Sequence, residues 1–178
     1  MKIETFFQLK ELQKKYGIKG TASGPFGKIA QKLLALSFHK IGFYNIVERS
    51  VQGADIDITK NKDEKYTCEV KVSDRLVFNL ANDNIAALSD RSNDGYIPLI
   101  AVLKLSVCSD WVIMKIPINE IPSGDVLIDS LRKFRLKDIE KAVSIAFDKV
   151  FEEHFEETLK KGDIYLRERL KQLGIENA

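Results

Sequence analysis

Two short segments near the middle of the chain combine acidic and basic residues at a spacing that could do chemistry. Asp55 and Asp57 alternate with isoleucines, and Glu69 and Lys71 flank a single valine. Because successive side chains of a β-strand point to opposite faces, each pair shares one face of a strand. The polar stretch Asn61–Glu64 between the segments predicts a turn, so the two strands form a hairpin. In that hairpin, Asp55 or Asp57 lies opposite Glu69.

Carboxylates that are crowded together beside apolar strand residues are costly unless a cation joins them. Three acids on one face of a hairpin, with a lysine beside them, therefore predict a site for a divalent cation. The alternation does not rank Asp55 above Asp57, because both side chains lie on the same face as Glu69.

Apolar periodicity predicts the elements that must position this hairpin. Helices are predicted over residues 3–16, over about 25–41 with Gly42 at the C-terminal cap, and over 12 to 16 residues within 79–94, with Gly95 beyond the end. Strands are predicted over residues 43–50, 96–106 and 111–118, in addition to the hairpin. This order predicts an α/β fold with a mixed central sheet flanked by helices.

The C-terminal segment has a different pattern from the rest of the chain. From residue 137 onward, apolar residues recur at steps of three and four, which predicts an amphipathic helix that Gly162 separates from a short terminal helix. We divide the chain into an N-terminal helix (1–20), a core (21–120) and a C-terminal helical extension (121–178). The extension packs on the core, covers a substrate or forms a dimer interface.

Composition sets the broad class of the protein. The 178 residues are 44% hydrophobic and 30% charged, as in soluble globular proteins. Residues 1–136 carry 20 Lys and Arg against 16 Asp and Glu, whereas residues 137–178 carry 8 against 10. The basic part contains the hairpin, which mildly favours a partner with a phosphate backbone.

Several functional classes find no support in the sequence. Cys68 and Cys108 lack the spacing of a zinc site or a disulfide framework, so we expect a reducing, cytoplasmic location. No apolar run approaches the ~20 residues of a membrane span. Phosphate-binding loops of nucleotide-dependent enzymes are also absent, so we expect neither a membrane nor a nucleotide cofactor.

The motifs and their order resemble the PD-(D/E)xK nuclease superfamily. Residues 20–118, which contain GKIAQKLL, GADIDI and YTCEVKVS, are most similar to archaeal Holliday-junction resolvases and also to Mrr-type restriction-endonuclease-like proteins. The resemblance implies a restriction-endonuclease-like fold and hydrolysis of DNA phosphodiester bonds with Mg²⁺, for which Mn²⁺ substitutes. It also implies a homodimer that acts on duplex or branched DNA.

The resemblance assigns expected roles by position. Glu69 and Lys71 match the acid and the lysine of the family's ExK motif, and Asp55 or Asp57 matches its preceding aspartate. Mg²⁺ would then be held by that aspartate, Glu69 and the carbonyl of Val70. Lys71 would orient or deprotonate a water, or stabilise developing negative charge.

The first core helix departs from the family pattern. Where relatives often carry another acid, usually Glu, this chain has Gln31. An amide oxygen can still coordinate a metal or orient a water, and Gln31 as a plain surface residue is an equal alternative.

Basic or polar residues that flank these motifs in the sequence are the candidates for contact with a DNA backbone. They are Lys28, Lys32, Arg49, Ser73, Arg75 and Arg91.

Two other hypotheses remain open beside a resolvase-like endonuclease. One is a type II or Mrr-like restriction endonuclease, in which the N-terminal helix and the C-terminal extension serve base recognition or dimerisation. The other is a non-catalytic nucleic-acid-binding module on the same fold, supported only by Gln31.

Overall fold

A computed structural model describes residues 1–17, 24–49, 54–61, 64–105 and 110–177 of the chain. The helices are α1 (Ile3–Tyr16), α2 (Pro25–Lys40), α3 (Asn82–Asn93), α4 (Lys137–Lys161) and α5 (Asp163–Gln172), with 3₁₀ helices at Ile118–Glu120 and Ile128–Phe134. The strands are β1 (Tyr44–Glu48), β2 (Ile56–Asn61), β3 (Glu64–Ser73), β4 (Val77–Leu80), β5 (Ile97–Lys104), β6 (Asp110–Lys115), β7 (Gly124–Leu127) and β8 (Glu176–Asn177). Among the described helices, none has both the length and the apolar character needed to cross a bilayer.

The central sheet has the strand order β6-β5-β3-β2-β1-β8. The β3–β5 and β1–β8 pairs are parallel, and the other neighbours are antiparallel. Strands β4 and β7 form a separate antiparallel pair. The predicted fold class, a mixed central sheet flanked by helices, is confirmed.

Each face of the sheet has its own apolar core. The buried residues of α1, α2, α4 and α5 pack on the face that contains Cys68 of β3 and Leu99 of β5. On the opposite face, α3, the β4–β7 pair and the second 3₁₀ helix cover Ile100 and Val102. Glu69 pairs with Ile100 and Lys71 with Val102, so both side chains lie on the face covered by α3.

Most of the predicted elements are confirmed. The helix predicted within residues 79–94 is α3, which begins at Asn82 because Val77–Leu80 form β4. The strand predicted over residues 111–118 ends at Lys115, and a 3₁₀ helix begins at Ile118. Phe78 and Leu80 are buried and Asn79 between them is exposed, which is the two-residue period of a strand. Strands β7 and β8 were not predicted. Lys62 and Asp63 of the predicted turn, and Cys108, lie outside the described residues.

The C-terminal helices share the larger core. Phe147 and Phe151 of α4 and Leu166 and Leu170 of α5 are buried in the same cluster as the apolar residues of α2. The predicted break between the two helices occurs at Gly162. The division into segments and the use of the extension in dimerisation stay predictions.

Gly162 sets the direction in which α5 leaves α4. Its φ of 66° and ψ of −145° lie in a region that essentially only glycine adopts, and an added Cβ would lie 3.2 Å from Tyr16 Cε1. We expect Gly162→Ala to lower the free energy of unfolding by about 2 kcal/mol in urea denaturation. Gly174→Ala is the control, since its φ is +72° but nothing lies within 4 Å of an added Cβ. Equal losses in the two variants would contradict the special role of Gly162.

Candidate active site

The register of the β2–β3 hairpin decides which aspartate meets Glu69. Ile56 pairs with Cys68 and Asp57 with Thr67, so the next position places Asp55 beside Glu69. Asp55 precedes the first residue of β2, and its carboxylate accepts a hydrogen bond of 2.7 Å from the Val70 N–H. The N–H and C=O of one strand residue point to the same edge, so the Val70 carbonyl also points towards Asp55.

Glu69 and Lys71 form the second half of this arrangement. Glu69 is 2% exposed, and its Oε1 lies 2.8 Å from Lys71 Nζ. Its Oε2 is buried and has no hydrogen-bond partner among the described residues. Lys71 Nζ also donates to Asn84 Oδ1 at 3.1 Å, and the same oxygen accepts the Ala81 N–H at the start of α3. The first turn of α3 therefore fixes the position of the lysine ammonium.

A cavity of about 790 Å³ adjoins these side chains. Its lining residues come from α2, the end of β1, the start of β2, β3, β4, α3 and α5. They are Gly24, Gly27, Lys28, Gln31, Lys32, Glu48, Arg49, Asp55, Glu69, Val70, Lys71, Val72, Phe78, Asn79, Asn84 and Arg167.

Burial makes both carboxylates hard to ionise. Burial raises the pKa of Glu69 to about 7; the charge of Asp55 adds to this effect, and Lys71 opposes it. Burial also raises the pKa of Asp55, against the opposing effects of the Val70 N–H and the Lys71 ammonium. One lysine therefore does not fully compensate the two acids, and a further positive charge would stabilise their ionised forms.

The oxygen atoms at this position fit a hard divalent cation. The Asp55 carboxylate, the unpartnered Glu69 Oε2 and the Val70 carbonyl are the kinds of ligand that Mg²⁺ binds. No group of three or more His, Cys, Asp or Glu side chains that could hold a metal exists within the described ranges. A cation here would have two side-chain ligands, and carbonyl, water or phosphate oxygens would complete its coordination, as is common for Mg²⁺.

The structure separates the two aspartates that the sequence could not rank. Asp57 Oδ2 accepts from Arg49 Nε at 2.7 Å and from Arg91 Nη2 at 2.6 Å. The Arg91 guanidinium also stacks on the Tyr96 ring, 3.8 Å from its centroid. Asp57 does not line the cavity. Its carboxylate joins Arg49 after β1, β2 and α3 in an ion-paired cluster, while its Oδ1 is buried with no hydrogen-bond partner among the described residues. This ion pairing favours a structural role for Asp57.

Gln31 of α2 supports Asp55 through the backbone. Its Nε2 donates to the Asp55 carbonyl at 3.0 Å, and the Arg49 N–H donates to the same oxygen at 3.0 Å. These two hydrogen bonds fix the peptide that carries the Asp55 side chain. Gln31 also lines the cavity and is therefore not a plain surface residue.

The structure adds lining residues that sequence reasoning missed. Glu48 is buried, and its Oε1 lies 2.9 Å from Lys32 Nζ. Glu48 lies two residues after the buried Ile46 in β1, so the two side chains share one face of the strand. This spacing was a signal that the Glu48 side chain points inward. Asn84 and Arg167 gave no such signal, because only tertiary contacts bring α3 and α5 to the cavity.

The six residues proposed to contact a DNA backbone divide into two groups. Lys28, Lys32 and Arg49 line the cavity, although Lys32 is buried against Glu48 and Arg49 is paired with Asp57.

Ser73, Arg75 and Arg91 do not line the cavity. The Ser73 hydroxyl stabilises a turn, because it accepts the Arg75 N–H at 3.0 Å and donates to the Val77 carbonyl at 2.6 Å. Arg75 is exposed in that turn, and Arg91 is held by Asp57 and Asp94. Contact of these three residues with a DNA backbone stays a prediction.

No family model and no curated protein matches the chain. Among solved structures, the chain is similar to Hjc of Archaeoglobus fulgidus, a Holliday junction resolvase from an archaeal hyperthermophile. The identity is 20% and the TM-score is 0.48, over 61% of this chain and 93% of that chain. Any function assigned to this chain therefore depends on the arrangement of its own side chains.

The different surroundings of the two aspartates predict losses of stability of different size on substitution. Asp57→Asn removes the counter-charge of two arginines, and we expect it to lower the free energy of unfolding by about 3 kcal/mol. Asp55→Asn should cost less than about 1 kcal/mol, because burial already disfavours the charge and an amide oxygen can still accept the Val70 N–H. Urea denaturation in EDTA measures both values, and equal losses would contradict this assignment.

The raised pKa of Glu69 predicts a pH-dependent cost of folding. Between its ordinary value of 4.5 and its folded value of about 7, the folded state binds more protons than the unfolded state. Stability should therefore fall as pH rises through this window. In EDTA at pH 8 we expect Glu69→Gln to be more stable than the wild type by about 1–3 kcal/mol, a gain that disappears below pH 4.5. Urea denaturation across this range tests the prediction, and a gain that does not change with pH would contradict it.

Proposed function

We propose that this protein is a divalent-metal-dependent endonuclease that hydrolyses DNA phosphodiester bonds. The observation that carries the proposal is the convergence of Asp55, Glu69 and Lys71 in one cavity, with a buried carboxylate oxygen of Glu69 left unpartnered. Buried acids with raised pKa values next to a positioned lysine are typical of catalytic sites and costly elsewhere.

Each group at the site would have a separate role in hydrolysis. Asp55, Glu69 and the Val70 carbonyl would hold Mg²⁺ or Mn²⁺. The cation, when bound, supplies positive charge that polarises the phosphate and makes water more acidic. Lys71 places its ammonium beside these oxygens, where it can orient a water or stabilise the negative charge that develops at phosphorus. The hydrogen bond to Asn84 keeps this ammonium in place before substrate arrives.

Four-way DNA junctions are the substrate that we propose first. The order of motifs in residues 20–118 resembles that of archaeal resolvases, which act on such junctions. Two symmetric cuts require two active sites, and a homodimer with two-fold symmetry would supply them. Lys28 lines the cavity, is exposed and has no ion-pair partner among the described residues. Its ammonium is therefore available to contact the phosphate backbone.

Cleavage assays test the proposed chemistry. With Mg²⁺, we expect the purified protein to cut a four-way junction, and Glu69→Ala or Lys71→Ala to reduce the rate by about 100-fold or more while DNA binding remains. Lys65→Ala is the matched control, since Lys65 is an exposed lysine of the same strand that does not line the cavity. Normal cleavage by Glu69→Ala or Lys71→Ala would show that the active site is elsewhere.

The choice of DNA separates the alternatives. Linear duplex, supercoiled plasmid and a four-way junction are incubated with the wild type under the same conditions. Cleavage of the junction alone supports a resolvase, and discrete fragments from duplex support a restriction endonuclease. Binding without any cleavage would refute both enzyme hypotheses and leave the nucleic-acid-binding module.

A further inference from the structure

The terminal helix α5 brings a cation into the cavity of the candidate active site. Leu166 and Leu170 are fully buried and attach α5 to the core. Asp163 and Arg167 are one turn apart on another side of the helix, and Arg167 lines the cavity. The Arg167 side chain is 56% exposed, so its guanidinium is accessible to a ligand in the cavity.

A chain of alternating charges links this arginine to the buried Lys32–Glu48 pair in the lining of the cavity. Arg167 Nη2 lies 3.2 Å from Asp163 Oδ2, which in turn lies 4.0 Å from Lys32 Nζ. Lys32 is paired with Glu48, and both are buried in the lining of the cavity. A buried pair of this kind holds its geometry, because separating it would leave an uncompensated charge. The position of α5 is therefore linked to the cavity by ionic as well as apolar contacts.

Asp163 leaves most of the hydrogen-bonding capacity of Arg167 unused. A guanidinium has five N–H donors, and Asp163 is the single hydrogen-bond or ion-pair partner of Arg167 in the part of the chain that the structure describes. The fork geometry of the remaining donors matches phosphate oxygens. Arg167 lines the same cavity as Glu69 and Lys71.

We propose that α5 forms one wall of the DNA-binding groove and that Arg167 contacts a backbone phosphate next to the one that is cleaved. This inference rests on the proposed function of the same cavity. Lys28 at the start of α2 contributes a second cation to the groove. The C-terminal extension thus participates in binding the substrate, in addition to packing on the core.

The salt dependence of DNA binding tests this role. The 178-residue chain in EDTA is titrated against a fluorescently labelled four-way junction, and anisotropy is measured at several salt concentrations. Loss of one phosphate contact should reduce the slope of log K against log salt by about 0.9, which is a five- to tenfold loss of affinity at about 0.1 M salt. We expect this result for Arg167→Gln, whereas Arg167→Lys should retain most of the slope because it keeps the charge.

Arg169→Gln is the matched control on the same helix. Arg169 is partly exposed, lies 3.7 Å from Glu153 and does not line the cavity. Removing it changes the net charge by the same amount as removing Arg167. Equal slopes for Arg167→Gln and Arg169→Gln, with normal binding by the wild type, would overturn the role of Arg167 and leave the proposed function intact. A wild type that binds DNA neither in EDTA nor in the presence of Ca²⁺ would overturn both.

Discussion

The structure of the cavity depends on the burial of two carboxylates, Asp55 and Glu69, side by side. Folding alone would favour apolar residues at these positions, because each ionised acid loses solvation and repels the other. The surroundings compensate this cost only in part. The Val70 N–H donates a hydrogen bond to Asp55, and the Lys71 ammonium forms an ion pair with Glu69. An incomplete compensation of this kind is expected where a site must accept a cation that the fold does not itself supply.

The length of β2 makes this arrangement possible. Strand β2 begins at Ile56, which pairs with Cys68, whereas β3 continues beyond Cys68. Val70 therefore has no partner residue in β2, and its N–H donates to the Asp55 carboxylate instead. A shift of the pairing by one residue would move every β2 side chain to the other face and put an isoleucine beside Glu69. Ile56 and Ile58, which are fully buried in the larger core, oppose such a shift.

Local patterns predicted the parts of the site that depend on a single strand or hairpin. The two-residue period placed Glu69 and Lys71 on one face, and the structure has them there. It could not separate Asp55 from Asp57, because that difference depends on where β2 begins and on Arg91, a residue of α3. Arg167 is almost a hundred residues from Glu69 in sequence, and only the packing of α5 on α2 brings it to the cavity. Contacts between distant segments leave no periodicity to detect.

The charges around the cavity imply that metal and DNA binding would support each other. Five cationic side chains and three carboxylates line it, but Lys32 is paired with Glu48, Lys71 with Glu69 and Arg49 with Asp57. A phosphate drawn towards Lys28 and Arg167 would therefore approach two central acids whose charge Lys71 alone does not fully compensate, and like charges repel at this range. A divalent cation between Asp55 and Glu69 would reverse the sign of that interaction. Since coupling between two ligands is reciprocal, a bound phosphate would in turn hold the cation more tightly than the two carboxylates do alone.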